Sequence, residues 1–522
     1  MRADDGTQGV TRRQALRLMG QAVLASILAE GLASARHTPA GLQQRRKGQQ
    51  MMRDTTRHLF LDDHEIERIQ AMRRVVNQPS KREANPVVRA DRSWENSVSV
   101  YGTTFYDDAV GCFRMYYLVG CPMPGEWTDD KGERHPYPAT TKVGYAISTD
   151  GVHWEKPELG QVDLGGSKAN NLLAIGRQNA EGISVLRDDR DPDAGRRYKA
   201  LYWDHAAGKP RVHPTLGRVL WEDGSPTDGA YVAWSADGIR WTIYQGNPVI
   251  QAYMDTNQNL LWDPEIERYV AFSRFGFGRK IARSESADFL DWSKPALVME
   301  CDAADGEGTQ FYGMGCDLYE GVYIGMLWVY REGGDGCIVT QLGVSRDGIK
   351  WERVADRQTF LPLGPKGSWD DGMARCAERI IRVGDELYIY YSGVNGPHSG
   401  PKFPADKIVR THKPGIGLAI LRRDGFVSLD AGEEEGTLLT KPFEIRQGRL
   451  HLNVDASSGW VRAGICDEAG KPLPGLERSE RVTGDQKAAL VVWPGEARVP
   501  AGKTARLLLT ARRAKLHSYW FE

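Results

Sequence analysis

One seven-residue pattern recurs along this chain. Ser148, Thr149, Asp150, Gly151, Val152, His153, Trp154 returns as Ser235, Ala236, Asp237, Gly238, Ile239, Arg240, Trp241 and again as Ser345, Arg346, Asp347, Gly348, Ile349, Lys350, Trp351. A degraded copy runs from Ser286 through Asp288 and Phe289 to Trp292, and a fifth keeps Arg423, Asp424, Gly425, Phe426. A supersecondary unit that repeats in this way cannot bury its apolar face alone, so the copies must stack on one another. Each full copy follows an alternating segment (143–147, 231–234, 341–344). Its Asp-Gly supplies a tight turn, and its Trp opens the next strand. The repeated aspartates Asp150, Asp237, Asp288, Asp347 and Asp424 are therefore assigned to turns.

Two further strand-like runs precede every copy, which makes about four antiparallel strands per unit, the content of one propeller blade. The spacing between copies is wider and less regular than the 40 to 45 or so residues of a WD40 array. It fits blades that carry long loops, such as 122–141, 208–228 and 395–413. After Asp430 a charged link, 431–435, leads into short alternating segments separated by Pro472, Pro474, Gly475, Pro494 and Gly495, the pattern of a small β-sandwich. The expectation is an all-β chain: a five-bladed β-propeller over 58–430 followed by a C-terminal β-sandwich over 431–522. With 58 Gly, 20 Tyr and 15 Trp, the composition favours turns and aromatic strands over long helices.

Lys and Arg number 68 against 69 Asp and Glu, so no overall field draws in nucleic acid or an anionic membrane. The seven cysteines form no C-x-x-C pair, which argues against zinc ribbons, and an odd number leaves at least one thiol unpaired. At the start of the chain Arg12 and Arg13 precede a modestly apolar run, 18–32, and the small-residue site Ala33, Ser34, Ala35. This is the layout of a signal peptide of the twin-arginine class over 1–35, followed by a polar leader over 36–57. The expected location is periplasmic or extracellular, with no membrane association after the signal is removed.

The five S-x-D-G-x-x-W-like units, followed by RLHLNVDA at 449–456 and VRAGICDEAGKPLPG from Val461, resemble the five-bladed β-propeller glycoside hydrolases of families 32 and 43. The resemblance covers 59–522. It implies an exported enzyme that cleaves terminal glycosidic bonds of oligo- or polysaccharides by paired carboxylates. One departure stands out: where family 32 enzymes carry W-x-N-D-P-N-G, this chain reads Trp94, Glu95, Asn96, Ser97. The nearest Glu-Cys pair, Glu300 and Cys301, lies at the end of a unit.

In a propeller the first strands of the blades line the axis, and the residues that start them converge. Those positions hold Glu95, Glu181, Asp255, Gln310 with Tyr312, and Asp370 with Asp371. Glycoside hydrolysis needs one carboxylic acid and one carboxylate. The catalytic candidates are therefore Glu95, Asp255, Asp370 and Asp371. The substrate-binding candidates are Asn96, Glu181, Asn257, Asn259, Arg274, Gln310, Tyr312 and Trp369. Trp94, Tyr101, Trp127, Phe275 and Phe277 are candidate platforms for sugar faces.

His205, His398 and His412 have no ligand spacing, so no catalytic metal or required cofactor is expected, although the architecture has room for a structural calcium. No G-x-S-x-G elbow or phosphate-cradling Gly-rich loop is present. The expected partner is a carbohydrate, with the oligomeric state left open. Two rival readings stay open: a non-catalytic glycan-binding propeller, and a phosphorylase or lyase on the same fold, for which Arg274 and Arg375 are the nearest phosphate ligands.

Overall fold

The computed structural model describes residues 57–122, 126–128, 134–136, 140–176, 180–204, 211–212, 219–220, 228–445, 448–497 and 499–522. The expected signal peptide, the leader up to residue 56, His205, the Trp127 side chain and much of the loops 122–141 and 208–228 lie outside the described residues. Of the smaller of the chain's two units, the described part is the turn Asp107–Cys112, where the Val110 and Gly111 N–H groups donate to the Asp107 carbonyl at 3.1 and 2.8 Å. The larger unit, Thr56–Tyr106 with Phe113–Glu522, carries everything that follows.

This unit is all-β among the described residues, with only three-residue 3-10 turns for helix. Four strands form the first sheet: Ser97–Ser99, Thr104–Asp107, Cys112–Cys121 and Thr140–Ser148. The second runs Glu181–Arg187, Tyr198–Asp204, Gly229–Ser235, with Thr242–Ile243 and Ile250–Gln251 on its outer edge. The third is a meander of Asn259–Asp263, Arg268–Ser273, Ile281–Ser286 and Ala296–Met299. A fourth, led by Thr309–Tyr319, Val322–Arg331 and Ile338–Ser345, joins a fifth made of Met373–Cys376, Glu386–Val394 and Gly415–Arg422 through the single parallel pair Ile338 and Met373. The outer edge of that fifth sheet is closed by strands from the start of the chain, Ser80–Lys81 and Val88–Arg89.

The repeated motif is a turn held by its own serine and aspartate side chains. Ser148, Ser235, Ser286 and Ser345 each accept, at 2.9 Å, the N–H of the residue three further on. Asp150, Asp237, Asp288 and Asp347 each accept the N–H groups two and three further on at 2.8 to 2.9 Å. The residue after the aspartate is left-handed: Gly151 at φ 74°, Gly238 at 75°, Gly348 at 68°. In the degraded copy Phe289 takes φ 73°, at a cost of roughly 1 to 2 kcal/mol.

Tyrosines then dock these turns and strand ends onto the neighbouring sheet. Tyr116 donates to the Gly238 carbonyl at 2.9 Å, Tyr390 to that of Gly151, Tyr269 to Asp188 and Tyr323 to Asp263. Separate apolar cores fill the spaces between the first and second, second and third, third and fourth, fourth and fifth, and fifth and first sheets.

Two assignments change. The stretch 58–76, placed by sequence in the propeller, supplies His58–Leu59, Ile66–Gln70 and Met72–Val76 to a ten-stranded sheet shared with the chain after residue 427. Its pairing partners are far off in sequence, so local patterning could not find them. The fifth aspartate, Asp424, does not cap its own turn: its buried carboxylate accepts from Tyr319 (2.6 Å), Ser518 (2.7 Å) and Arg57 (2.7 Å).

The first strands of the five sheets are latched in succession. Val185 N–H donates to Thr103 Oγ1 at 2.7 Å, Leu260 N–H to Ser184 Oγ at 2.8 Å, Cys316 N–H to Asn259 Oδ1 at 3.0 Å, and Ile380 N–H to Asp317 Oδ2 at 3.0 Å. Glu378, buried after Met373–Cys376, accepts from Thr103 and, at 2.6 Å, from Ser184, which returns the series to its start. Burial pushes the Glu378 carboxyl up to about 7, against the opposing pull of Arg379 and the two hydroxyls. The raised carboxyl makes its full contribution to stability below the unfolded value of 4.5, and that contribution is lost as the pH rises through about 7. Urea unfolding at pH 5 and pH 8 should show this loss, on the order of 3 kcal/mol, and Glu378→Gln, which mimics the protonated acid, should remove that part of the pH dependence.

Candidate functional site

Two of the four candidate acids are held by the frame. Glu95 is buried with both oxygens engaged: Tyr117 donates to Oε1 at 3.0 Å, and Lys156 (2.6 Å) with the N–H groups of Asp91 and Arg92 (3.1 and 3.2 Å) donates to Oε2. Asp370, also buried, accepts from Lys81 (2.6 Å), Tyr391 (3.0 Å) and Ser368 (2.9 Å), so it ties down the closing strand Ser80–Lys81.

Asn257 and Asn259 bind the Met314 carbonyl at 2.8 and 2.7 Å and latch the third sheet to the fourth. Glu181 accepts from Thr141 at 2.7 Å, and Asn96 is exposed, its N–H on the Gly120 carbonyl. Trp369 lies against Tyr391, ring centroids 5.5 Å apart. These residues are spread over the sheets rather than gathered at one point.

Asp255, Arg274, Gln310 and Tyr312 do come together. The hairpin pairing of Asn259 with Phe272 sets Asp255, four residues before the first strand, opposite Arg274, just after the second. Arg274 Nη2 lies 3.2 Å from Asp255 Oδ2 and also donates to the Asp255 carbonyl. The arginine side chain is 6% exposed and the aspartate 49%, so the pair has a fixed cation and an accessible carboxylate. Beyond Arg274 the chain turns sharply through Phe275 at φ 40° and Gly276 at φ 84°; Gly276 N–H returns to the Tyr253 carbonyl at 2.9 Å. A bulky residue at positive φ stores strain of the kind that gathers at binding sites. The turn leaves the rings of Tyr253 and Phe277 exposed on the rim.

Tyr312 reaches this point because the Thr309–Tyr319 ladder slips between Phe311 and Gly313, and such a bulge re-aims a side chain. Its hydroxyl lies 3.0 Å from His398 Nε2, while His398 Nδ1 lies 2.7 Å from the Ser399 carbonyl. A carbonyl only accepts, so Nδ1 carries the proton and Nε2 accepts from Tyr312. Arg279 donates to Gln310 at 2.6 Å and lies 3.4 Å from Glu332. A cavity of about 360 Å³ opens beside this group, lined by Arg279, Lys280, Glu300, Cys301, Thr309 and Gln310. Lys280 and Glu300 there form an ion pair of 2.6 Å.

Behind Asp255 stand Tyr101 and Arg375. Tyr101 is stacked on Trp328 at 5.3 Å and accepts from Arg375 Nη1 at 2.5 Å. Burial lifts its phenol well above the usual range; Arg375 and Arg274 pull it down, and Tyr312 and Asp255 push it up. Asp371, just before the strand Met373–Cys376, is bound separately, by its own loop and the end of the neighbouring strand. Burial pushes its carboxyl up, but the N–H groups of Gly396 and Gly367 (both 2.7 Å) and the Asn395 amide (2.8 Å) outweigh this and hold it below its ordinary value. It is therefore an ionised carboxylate at neutral pH, suited to a base or to stabilising positive charge rather than to an acid.

Arg279 and Glu332 were not among the sequence candidates. Arg375, a candidate only in the phosphorylase or lyase reading, stands out as a charged residue inside the apolar run Met373, Ala374, Arg375, Cys376, Ala377. Among the described residues no three His, Cys, Asp or Glu side chains come together as a metal site.

No family model matches the chain, and no curated protein matches it. Among solved structures it is similar to a β-1,2-mannobiose phosphorylase from Listeria innocua, at 12% identity over 66% of this chain and 97% of that one, TM-score 0.45. It is also similar to a glycoside hydrolase at 13% identity, 68% and 92% coverage and TM-score 0.43, and to an exo-inulinase from Aspergillus awamori at 14%, 88% and 99%, TM-score 0.40. At these identities and TM-scores the likeness transfers no chemistry to this chain.

The contrast between Glu95 and Asp255 is testable by denaturant unfolding. Glu95→Ala leaves Lys156 on Asp91 (2.8 Å) and the Arg89 carbonyl (2.7 Å) but takes the acceptor from the buried Tyr117 hydroxyl and the Asp91 and Arg92 N–H groups, and should cost about 1 to 3 kcal/mol. Asp255→Ala, at a half-exposed pair, should change stability by less than about 1 kcal/mol.

Proposed function

We propose that this protein is an exported, glycan-active enzyme whose five sheets are the blades of a β-propeller and whose ten-stranded sheet is a β-sandwich. The side-chain latches that run from the first sheet through the fifth and back support the blade count. So does the closing strand Ser80–Lys81, which completes the last sheet from the other end of the chain. The basic and apolar opening of the sequence supports export to the periplasm or beyond.

The observation that carries the reading is the half-exposed Asp255, fixed on the buried Arg274 beside Tyr101 and Tyr312, with Tyr253 and Phe277 on the rim. Aromatic faces and a few fixed polar groups around an accessible carboxylate suit a sugar ring. In the hydrolytic reading Asp255, as the acid, gives a proton to the departing glycosidic oxygen, and the ionised Asp371, as the second carboxylate, takes one from the attacking water. Glu95 and Asp370 hold the frame. The stereochemistry, inversion or retention, follows from the carboxylate separation in the bound state. The buried arginines beside Asp255 favour a second reading, phosphorolysis, in which phosphate takes the place of water.

The test is product release from a glycan panel by the mature protein, with and without inorganic phosphate, beside Asp255→Asn. A hydrolase releases reducing sugar without phosphate; a phosphorylase yields sugar phosphate only with it. In either case Asp255→Asn should lower kcat by roughly 100-fold or more. Binding without any turnover would leave a non-catalytic glycan receptor.

A further inference from the structure

The cleft holds more positive charge than its own carboxylates answer. Arg274 is paired with Asp255, and Arg279 lies beside Glu332. Arg375 is different. It is 7% exposed, and no carboxylate lies within 4.0 Å of it among the described residues. Its Nη1 donates to Tyr101, and its buried Nε has no hydrogen-bond partner among the described residues. Around its Cζ stand the rings of Tyr101 (4.8 Å), Trp328 (5.7 Å) and Tyr312 (5.9 Å). Such rings soften the cost of a buried cation by about 2 kcal/mol or somewhat more, short of what a buried, unpaired charge costs.

A second guanidinium sits at the end of the neighbouring strand: Arg375 pairs with Ser392 of Glu386–Val394, and Arg410 is held on the carbonyls that follow Val394. Arg410 is held by carbonyls alone, those of Asn395, Gly396 (3.3 Å) and Pro397 (2.9 Å), and it lies at the surface. Lost hydration and the neighbouring Arg375 both pull its pKa below the ordinary value, while Asp371 pulls the other way. Asp371 in turn has its oxygens on three neutral N–H donors, so it forms no direct pair with either arginine among the described residues. Two guanidinium groups near one another, one of them buried with a donor unused, make a poor resting arrangement and a good receptor for two or more anionic oxygens.

We propose that Arg375 and Arg410 form an oxyanion seat in the cleft, next to Asp255, that recognises an anionic group of the substrate. The inference rests on the reading of this cleft as a glycan site and names its substrate class: a saccharide that bears a carboxylate or a sulfate ester, with the planar carboxylate the best match to a guanidinium fork. Free inorganic phosphate presents the same oxyanion chemistry and is the other source.

Calorimetric titration of the full chain with sodium glucuronate, glucose and inorganic phosphate tests the seat apart from any turnover. Glucuronate should bind about tenfold more tightly than glucose, and Arg375→Gln and Arg410→Ala should each remove that advantage while leaving glucose binding within about twofold. Arg410 is exposed, so Arg410→Ala keeps the test decisive if Arg375→Gln fails to fold. Phosphate that displaces glucuronate, with the same dependence on both arginines, assigns the oxyanion to free phosphate. Phosphate that binds no better than chloride assigns it to the glycan. Equal binding of all three ligands, or anion binding that both variants leave intact, overturns the seat. Asp255→Asn separates the two claims: anion binding with no turnover on any glycan sinks the enzymatic reading alone, and turnover lost on Asp255→Asn with no preference for anions sinks the seat alone.

Discussion

The side-chain latches between the first strands are the constraint on which the rest depends. Backbone ladders hold each sheet together internally, but almost nothing of that kind joins one sheet to the next; the pair Ile338 and Met373 is a single parallel bridge. The joining is done by Thr103, Ser184, Asn259, Asp317 and Glu378, each of which takes or shares a hydrogen bond with a neighbouring strand. Thr103, Ser184, Asn259 and Glu378 are buried and Asp317 half-buried, so each bond at a buried group replaces a desolvation cost of about 1 to 3 kcal/mol that an unpartnered group would incur. Glu378 is the most demanding member, because it is a carboxyl kept among hydroxyls with its charge disfavoured.

Once the first strands are in register, the cleft follows from local irregularities. Asp255 and Arg274 face one another because they extend the two sides of one hairpin. Tyr312 turns toward them because its strand carries a bulge. The strained turn at Phe275 swings the exposed Tyr253 and Phe277 onto the rim. The regular parts of the sheets fill the cores, and the departures from regularity bring Asp255, Arg274 and Tyr312 together outside them. The charge of the cleft comes from a different source, the burial of Arg375 inside a strand that is otherwise apolar.

Much of this was legible in the sequence. The S-x-D-G-x-x-W pattern encodes a turn whose donors and acceptors lie within six residues, so reading it needs no knowledge of the fold; Ser148 and Asp150 behave as their spacing implies. The charged interruption at Arg375 was equally visible. Asp255, Arg274 and Tyr312 could be picked as candidates because each sits near the start or end of a strand. Glu95 and Asp370 sit at similar positions and differ only in their partners, Lys156 and Lys81, which lie 61 and 289 residues away. No local pattern distinguishes a carboxylate that meets a lysine from one that meets solvent.

The same distinction divides the whole molecule. Sequence alone determined the all-β character, the repeated turn and the set of strand-edge residues, because hydrophobic alternation and turn hydrogen bonding act over a few residues. Tertiary structure decided that 58–76 belongs with the C-terminal sheet, that Asp424 binds Tyr319 and Ser518 instead of its own turn, and that Asp255 rather than Glu95 keeps an accessible oxygen. Each of those outcomes depends on which distant group arrives to pair with a buried donor or charge, and only the folded chain brings such groups within hydrogen-bonding distance.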